Sequence, residues 1–340
     1  MRRAAIGIPL LVIVTVAAAL EIEKRPLPEL SAYPAQLSLQ EFQELFDASK
    51  RWGEFGEDDQ LGALNLITPQ VRVRAASLVK TGASVSLANP LSKTAQGNFI
   101  EPIGHTTFVF DLPPGFDGGE SAAGDVFNIN YHGGIHSHMD GVAHFGWRGK
   151  LYNGFDFKPG EDGFPHVGVE HIAQHGIFGR GVLVDLPRLY EINYLPPGTA
   201  IKVEHLEAWE RRTGVVVGSG DILLIRVGRW EIVKENPAYD ALEATAGIHA
   251  SIGPWLKARG VAAIGSDAIS DVMPSGVESV FNPVHTIANA ALGLPLFDHL
   301  QLDRAAEVAA ELNRQTFLFS AAPLNVEGAT GSPLTPMAVF

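Results

Sequence analysis

The sequence predicts a mixed α/β protein, and three observations carry that expectation. Helix–turn–strand alternation runs through the second half of the chain, the pattern of a core built from both element types. Strand-like apolar runs precede it, at residues 83–88 and 106–112. Hydrophobic residues make up 46% of the 340 positions and charged residues 19%, enough apolar side chain to bury a substantial core.

Taken in order, the chain opens on Arg2 and Arg3, an apolar run over residues 4–20, and Ala17-Ala18-Ala19 before Glu21. A basic start, an apolar middle and a small-residue end describe a secretory signal. The run is short for a spanning helix, which wants about 20 apolar residues. Export to a periplasm or beyond is therefore expected, with an uncleaved membrane anchor as the alternative. Residues 21–37 are Pro-rich and charged, a linker. No internal repeat or further long linker follows, so residues 38–340 read as one catalytic domain.

Within that domain, Ser38 and Glu41 have capping-box spacing ahead of Phe42, Leu45 and Phe46, which predicts a helix from Leu39. Thr68 caps a second helix with Pro69 in its first position, and Gly82 lies past its end. The Pro/Gly/Asp-rich stretch 113–124 reads as a loop over a pocket. Further helices are predicted at 169–175, 203–212, 252–258 and 302–312, with strands at 181–185, 222–227, 261–265 and 316–321.

The formal charge of −13 repels a polyanion, and no basic stripe offsets it, so nucleic acid is excluded as a partner. There are no cysteines, which removes disulfides, thiolate metal ligands and thiol nucleophiles. Nitrogen-rich metal chemistry must come from the 12 histidines.

Five of the groups that matter stand in one stretch, YHGGIHSHMDGVAH, residues 131–144. His132, His136, His138 and Asp140 share parity, so an extended strand would present them on one face. Imidazoles and a carboxylate converging in this way are the usual protein contribution to a catalytic divalent metal. His144, four residues beyond, is the extra group that hydrolysis needs. Downstream, His285 and the pair Asp298-His299 form a second His/acid locus. The stretch from Gly265 to Asp271 follows an apolar run; its acids suit a strand end beside a pocket, and Asp267 equally suits a turn.

The segment His138-x-Asp140-x-x-x-His144 resembles the core of the cyclase-family signature, H-x-G-T-H-x-D-x-P-x-H. That family includes bacterial kynurenine formamidases and isatin hydrolases. DDQLGALNLITP, GRGVLVDLPR, GDILLIRVGR and IGSDAISDV extend the likeness over most of the chain after about residue 50, closest to the longer members. The resemblance implies a β-rich, barrel-like centre with surrounding helices, of the swivelling β/β/α type, and a homo-oligomer. It makes His138 and Asp140 metal ligands, His144 the proton carrier and His285 a ligand for a second metal. Asp298 falls near that second site's Glu position. The first ligand position falls on Gly134, which has no side chain to offer; His132 and His136 flank it, and either can take its place. Ser137 and Val142 stand where the pattern has Thr and Pro.

One or two Zn²⁺ or Mn²⁺ ions are the expected cofactor. Such an ion lowers the pKa of its water towards ~7. The resulting hydroxide attacks the amide of an aryl formamide (N-formylkynurenine-like) or a cyclic amide, with His144 shuttling the proton. Phe145, Trp147, Tyr152 and Phe155 are candidates to line a pocket for such a flat small molecule, and equally to be packing residues. The competing readings are an exported metal-binding protein without catalysis, or the same fold acting as a lactonase or dehydratase.

Overall fold

Capping chemistry sets the first helices. The Ser38 hydroxyl accepts from the Glu41 amide at 3.2 Å while Glu41 accepts from the Ser38 amide at 2.8 Å, and helix Leu39–Ser49 follows. Its Phe42 and Phe46 face the core. Thr68 caps helix Pro69–Ala76 in the same way. These elements belong to a computed structural model that describes residues 25–31, 36–94, 102–113, 115 and 118–340. The expected export segment and part of the linker lie outside the described residues. Among the described residues no helix is long and apolar enough to cross a membrane.

Thirteen strands are described: β1 (Ser84–Ser86), β2 (Gly104–Val109), β3 (Ala123–Asn128), β4 (His138–Asp140), β5 (Ile177–Asp185), β6 (Ala200–Ile201), β7 (Ile222–Arg226), β8 (Gly247–Ile248), β9 (Ala263–Ser266), β10 (Leu296–Asp298), β11 (Thr316–Ala321), β12 (Gly331–Pro333) and β13 (Met337–Val339). Nine of them form one curled, half-barrel sheet in the order β1-β13-β11-β5-β7-β9-β10-β4-β12. The barrel-like α/β architecture expected from the family resemblance is therefore present.

The centre of the sheet is parallel, from β5 through β7 and β9 to β10, and antiparallel strands flank it. Central parallel strands are covered on both faces, which is why β5 and β7 read as continuous apolar runs. Alternation still sorts their side chains. Val182, Val184, Leu223, Ile225, Ile264 and Leu296 pack into one core, with Phe42, Phe46, Leu206 and Trp209 from helices. Leu183, Ile222, Leu224, Phe297, Phe317 and Phe319 pack into the other, with Ala305 and Ala309 of helix Asp303–Glu311.

Several elements differ from expectation. The stretch 113–124 runs into a strand: β3 pairs antiparallel with β2 in a separate two-stranded ribbon. Its A-G-D-V-F-N sequence has too little alternation to stand out. Helix Arg229–Glu235, the π-helical segment Ile287–Leu292 and strand β10 also escape the sequence patterns. The π-helical segment and β10 are buried throughout, where periodicity carries no information, and the seven-residue helix is too short to show a clear apolar stripe.

Candidate metal centre

The row of ligands predicted from parity holds only over strand β4. Residues 131–136 form turns and bends, and the strand comprises His138, Met139 and Asp140. His138 and Asp140 share a face, while Met139 points into the second core. His132 reaches the same place by a different route, from the turn, with its Nδ1 2.9 Å from Asp140 Oδ1. Strand β12 makes this possible, because a Cβ on Gly331 would sit 3.0 Å from His132 Cε1 and 2.4 Å from the Met139 carbonyl oxygen. His136 does not join. Its side chain belongs to neither ligand cluster among the described residues, and its carbonyl accepts from His138 Nδ1 at 2.7 Å. Of the two histidines flanking Gly134, the fold therefore brings His132 to the cluster, because the chain turns where an extended strand was expected.

Two groups of ligand-capable atoms share one carboxylate. His132, His138 and Asp140 form the first, with His138 Nε2 3.2 Å from Asp140 Oδ1. Asp140, His285 and Asp298 form the second, with His285 Nε2 3.2 Å from Asp140 Oδ2 and 3.1 Å from Asp298 Oδ2. Asp298 is delivered by β10, whose register pairs it directly with His138 on β4. His285 lies in the helical turn Pro283–Thr286, ahead of the π-helical segment.

Hydrogen bonds behind each ring decide which nitrogen faces the centre. His138 Nδ1 donates to the His136 carbonyl, and His285 Nδ1 donates to Asp271 Oδ2 at 2.5 Å. His132 Nε2 lies 3.2 Å from Thr330 Oγ1. His138 and His285 thereby present Nε2 to the centre and His132 presents Nδ1, the arrangement that outer hydrogen bonds give metal-ligating imidazoles. His132 Nδ1 and Asp140 Oδ1 are both buried, and neither finds a hydrogen-bond partner among the described residues. A cation between them would partner both atoms, so the residues fit a divalent metal. A mixed imidazole and carboxylate set suits a first-row divalent ion.

Burial favours the neutral form of Asp140, but the imidazoles of His138 and His144 beside it hold its carboxyl well below the usual range. His285 is likewise buried, yet Asp298, Asp140 and Asp271 raise it well above an ordinary histidine. His144 behaves differently. It stacks on His132 with ring centroids 3.9 Å apart, and its Nε2 lies 3.7 Å from Asp140 Oδ1. Burial and the neighbouring histidines push its pKa down to about 4, which leaves it neutral at pH 7.

A cavity of about 390 Å³ opens onto these groups, with apolar walls from Phe145, Leu242, Ile269 and Phe281. Of the four aromatic residues expected there, only Phe145 lines it. Trp147 packs on Phe42 and donates to Gln43, Tyr152 is buried and donates to Asp59, and Phe155 stacks on His166. These three were drawn to the site by sequence proximity alone. Asp267 takes the turn role: its carboxylate accepts from the amides of Val227, Gly228 and Arg229.

A family profile described as putative cyclase matches residues 68–271. The chain belongs to the putative cyclase family. A crystal structure of a novel cyclase superposes with a TM-score of 0.73 at 29% identity, over 86% of this chain and 97% of its own. Isatin hydrolase A from Ralstonia solanacearum superposes at 0.51 with 21% identity, over 75% and 91%. An isatin hydrolase bound to the product analogue thioisatinate gives 0.54 and 18%, over 80% and 99%. The last two establish a shared fold. No curated protein matches the sequence significantly.

In this cyclase-family chain, the residues beyond the sequence reading are those that orient ligands. Ser270 donates to Asp298 Oδ1 at 2.5 Å, and Asp271 also accepts from the Val284 amide. The side chain of Asn289 accepts from the Phe145 amide beside His144. Asp271 carried a signal, as an acid just beyond an apolar strand; Ser270 and Asn289 carried none.

Proposed function

We propose that this cyclase-family protein is a hydrolase that uses two divalent metals, Zn²⁺ or Mn²⁺, to cleave the amide of an aryl formamide or cyclic amide. The observation that carries the reading is Asp140, whose two oxygens face two separate ligand groups. A carboxylate can serve two ions at once, whereas each imidazole nitrogen offers a single lone pair. His132, His138 and Asp140 would hold one ion, and Asp140, His285 and Asp298 the other. Ions bound there supply Lewis acidity and a water of lowered pKa.

The protein's own groups supply the rest. His144 stands beside the first group without belonging to it, and its neutral ring accepts the proton of the attacking water. The water oxygen bonds to the carbonyl carbon, the C–N bond breaks, and His144 returns the proton to the leaving nitrogen. Phe145 and Phe281 offer apolar surface to a flat ring. The solved isatin hydrolases share this fold, and a cavity of about 390 Å³ with apolar walls supports a small ring-bearing substrate.

His144→Ala tests the assignment. Metal content stays at two equivalents by elemental analysis, while turnover of formanilide and isatin falls by roughly 10²- to 10⁴-fold, the usual range for a general base. Turnover unchanged at full metal content removes His144 from the mechanism. Turnover retained after chelation removes the metals from it.

A further inference from the structure

His299 is the side chain at the cavity that neither metal group nor the proton transfer uses. It is 2% exposed and lines the cavity with His138 and Asp298. Its backbone has φ +56°, a left-handed conformation that disfavours any residue with a side chain. Such a conformation persists only where the surroundings over-determine it. Here they do. The His299 carbonyl accepts from Ser137 Oγ at 2.7 Å and Asn89 Nδ2 at 3.1 Å, and its amide donates to the Ala268 carbonyl at 2.9 Å.

The ring is held as firmly as the backbone. Arg229 Nη1 donates to His299 Nδ1, and Arg229 Nη2 donates to the Gly134 carbonyl at 2.6 Å. A guanidinium is always a donor, so the nitrogen it contacts must be the acceptor. The hydrogen of the ring therefore sits on Nε2. Arg229 is itself 4% exposed, and its Nε finds no hydrogen-bond partner among the described residues. A buried guanidinium normally sits on a carboxylate, and this one is committed to a ring and a loop carbonyl instead. His299 lines the cavity and Arg229 does not, which leaves the opposite edge of the His299 ring, with Nε2–H, for the cavity.

We infer that His299 donates from Nε2 to the acyl oxygen of the bound substrate, and that Arg229 is a positioning residue that locks this orientation. The inference rests on the hydrolase reading and adds to it a donor for the substrate's acyl oxygen. A donor set before the reaction is worth more than one that must reorient as charge develops on that oxygen. The sequence places His299 in a His/acid locus with Asp298 but assigns it no role.

The test uses the full chain loaded with Zn²⁺ and the probes formanilide and isatin. His299→Leu keeps two metal equivalents and loses about 10²- to 10³-fold in kcat/KM, the range for removing one such donor. His299→Gln, whose amide nitrogen reaches the place of Nε2, recovers at least about tenfold over His299→Leu and over His299→Asn, whose shorter amide does not reach. A Leu variant within threefold of wild type at full metal content overturns the inference, as does a Gln variant no better than Asn. If Leu prevents folding, the Gln–Asn comparison decides. Long-range ¹H–¹⁵N correlation spectra of the wild-type protein give a readout independent of turnover: protonated Nε2 is expected, and a protonated Nδ1 overturns the assignment. Should wild type hydrolyse neither probe, the hydrolase reading fails on those substrates, and the tautomer still decides the donor.

Discussion

The two ligand groups around Asp140 are assembled in opposite ways. The first comes from one short stretch: His138 and Asp140 from a three-residue strand and His132 from the turn before it. The second is gathered from two places far downstream, His285 on a helical turn and Asp298 at the end of β10. The first group therefore depends on a local turn, and the second on strands meeting in register, with Asp298 opposite His138. Their supports differ accordingly. His138 leans on the backbone carbonyl of its own loop, whereas His285 leans on Asp271, a buried carboxylate from another segment. Both kinds of partner can fix the tautomer and orientation of a metal-ligating imidazole.

Removing the atom pair they share breaks the comparison altogether. Asp140→Asn is expected to lose both metal equivalents, and activity falls by more than about 10³-fold as the several kcal/mol of metal-derived stabilisation goes with them. Elemental analysis beside a turnover assay checks it. Retention of both equivalents would mean that Asp140 bridges nothing.

The next pair separates the groups. His132→Ala and Asp298→Ala should each leave one equivalent, with affinity for the lost ion reduced by at least about 100-fold, beyond the effect of losing an outer-sphere partner. Titration of the metal-free protein by calorimetry resolves the two steps. If either variant binds no metal at all, the groups act as a single site and the contrast between them collapses.

The smallest effect is expected at His136. His136→Gln should keep both equivalents, and its cost is the order of 1 kcal/mol typical of a substitution in a packed site, read from chemical denaturation. Loss of one equivalent would return His136 to the ligand set and displace His132. This outcome bears directly on how much of the site the sequence discloses. Parity correctly placed His138 and Asp140 on one face, since both lie in a strand. It failed for His136, because parity has no meaning across residues 131–136, where the chain turns.

The same contrast holds for the fold. Caps and stops are local hydrogen-bond chemistry, so Ser38, Thr68 and Gly214 delimit helices that the sequence announces. The parallel strands β5 and β7 announce themselves by their apolar runs. Strand β10 is three residues inside a wholly apolar stretch, and only its pairing with β9 and β4 makes it a strand. The aromatic residues around position 150 went to the core for a related reason. Proximity in sequence to His144 says nothing about direction, and Trp147 and Tyr152 found burial and hydrogen-bond partners away from the cavity.

By itself, then, the sequence determined the chemistry available: no thiols, a dense histidine–aspartate stretch, and the strand parity that joins His138 to Asp140. The tertiary structure alone decided that His132 and not His136 completes the first group, that Asp298 closes the second, and that Arg229 stands behind His299. The physical reason is reach. Side-chain periodicity extends only as far as one regular element, and these choices depend on turns and on strands from distant segments arriving in register.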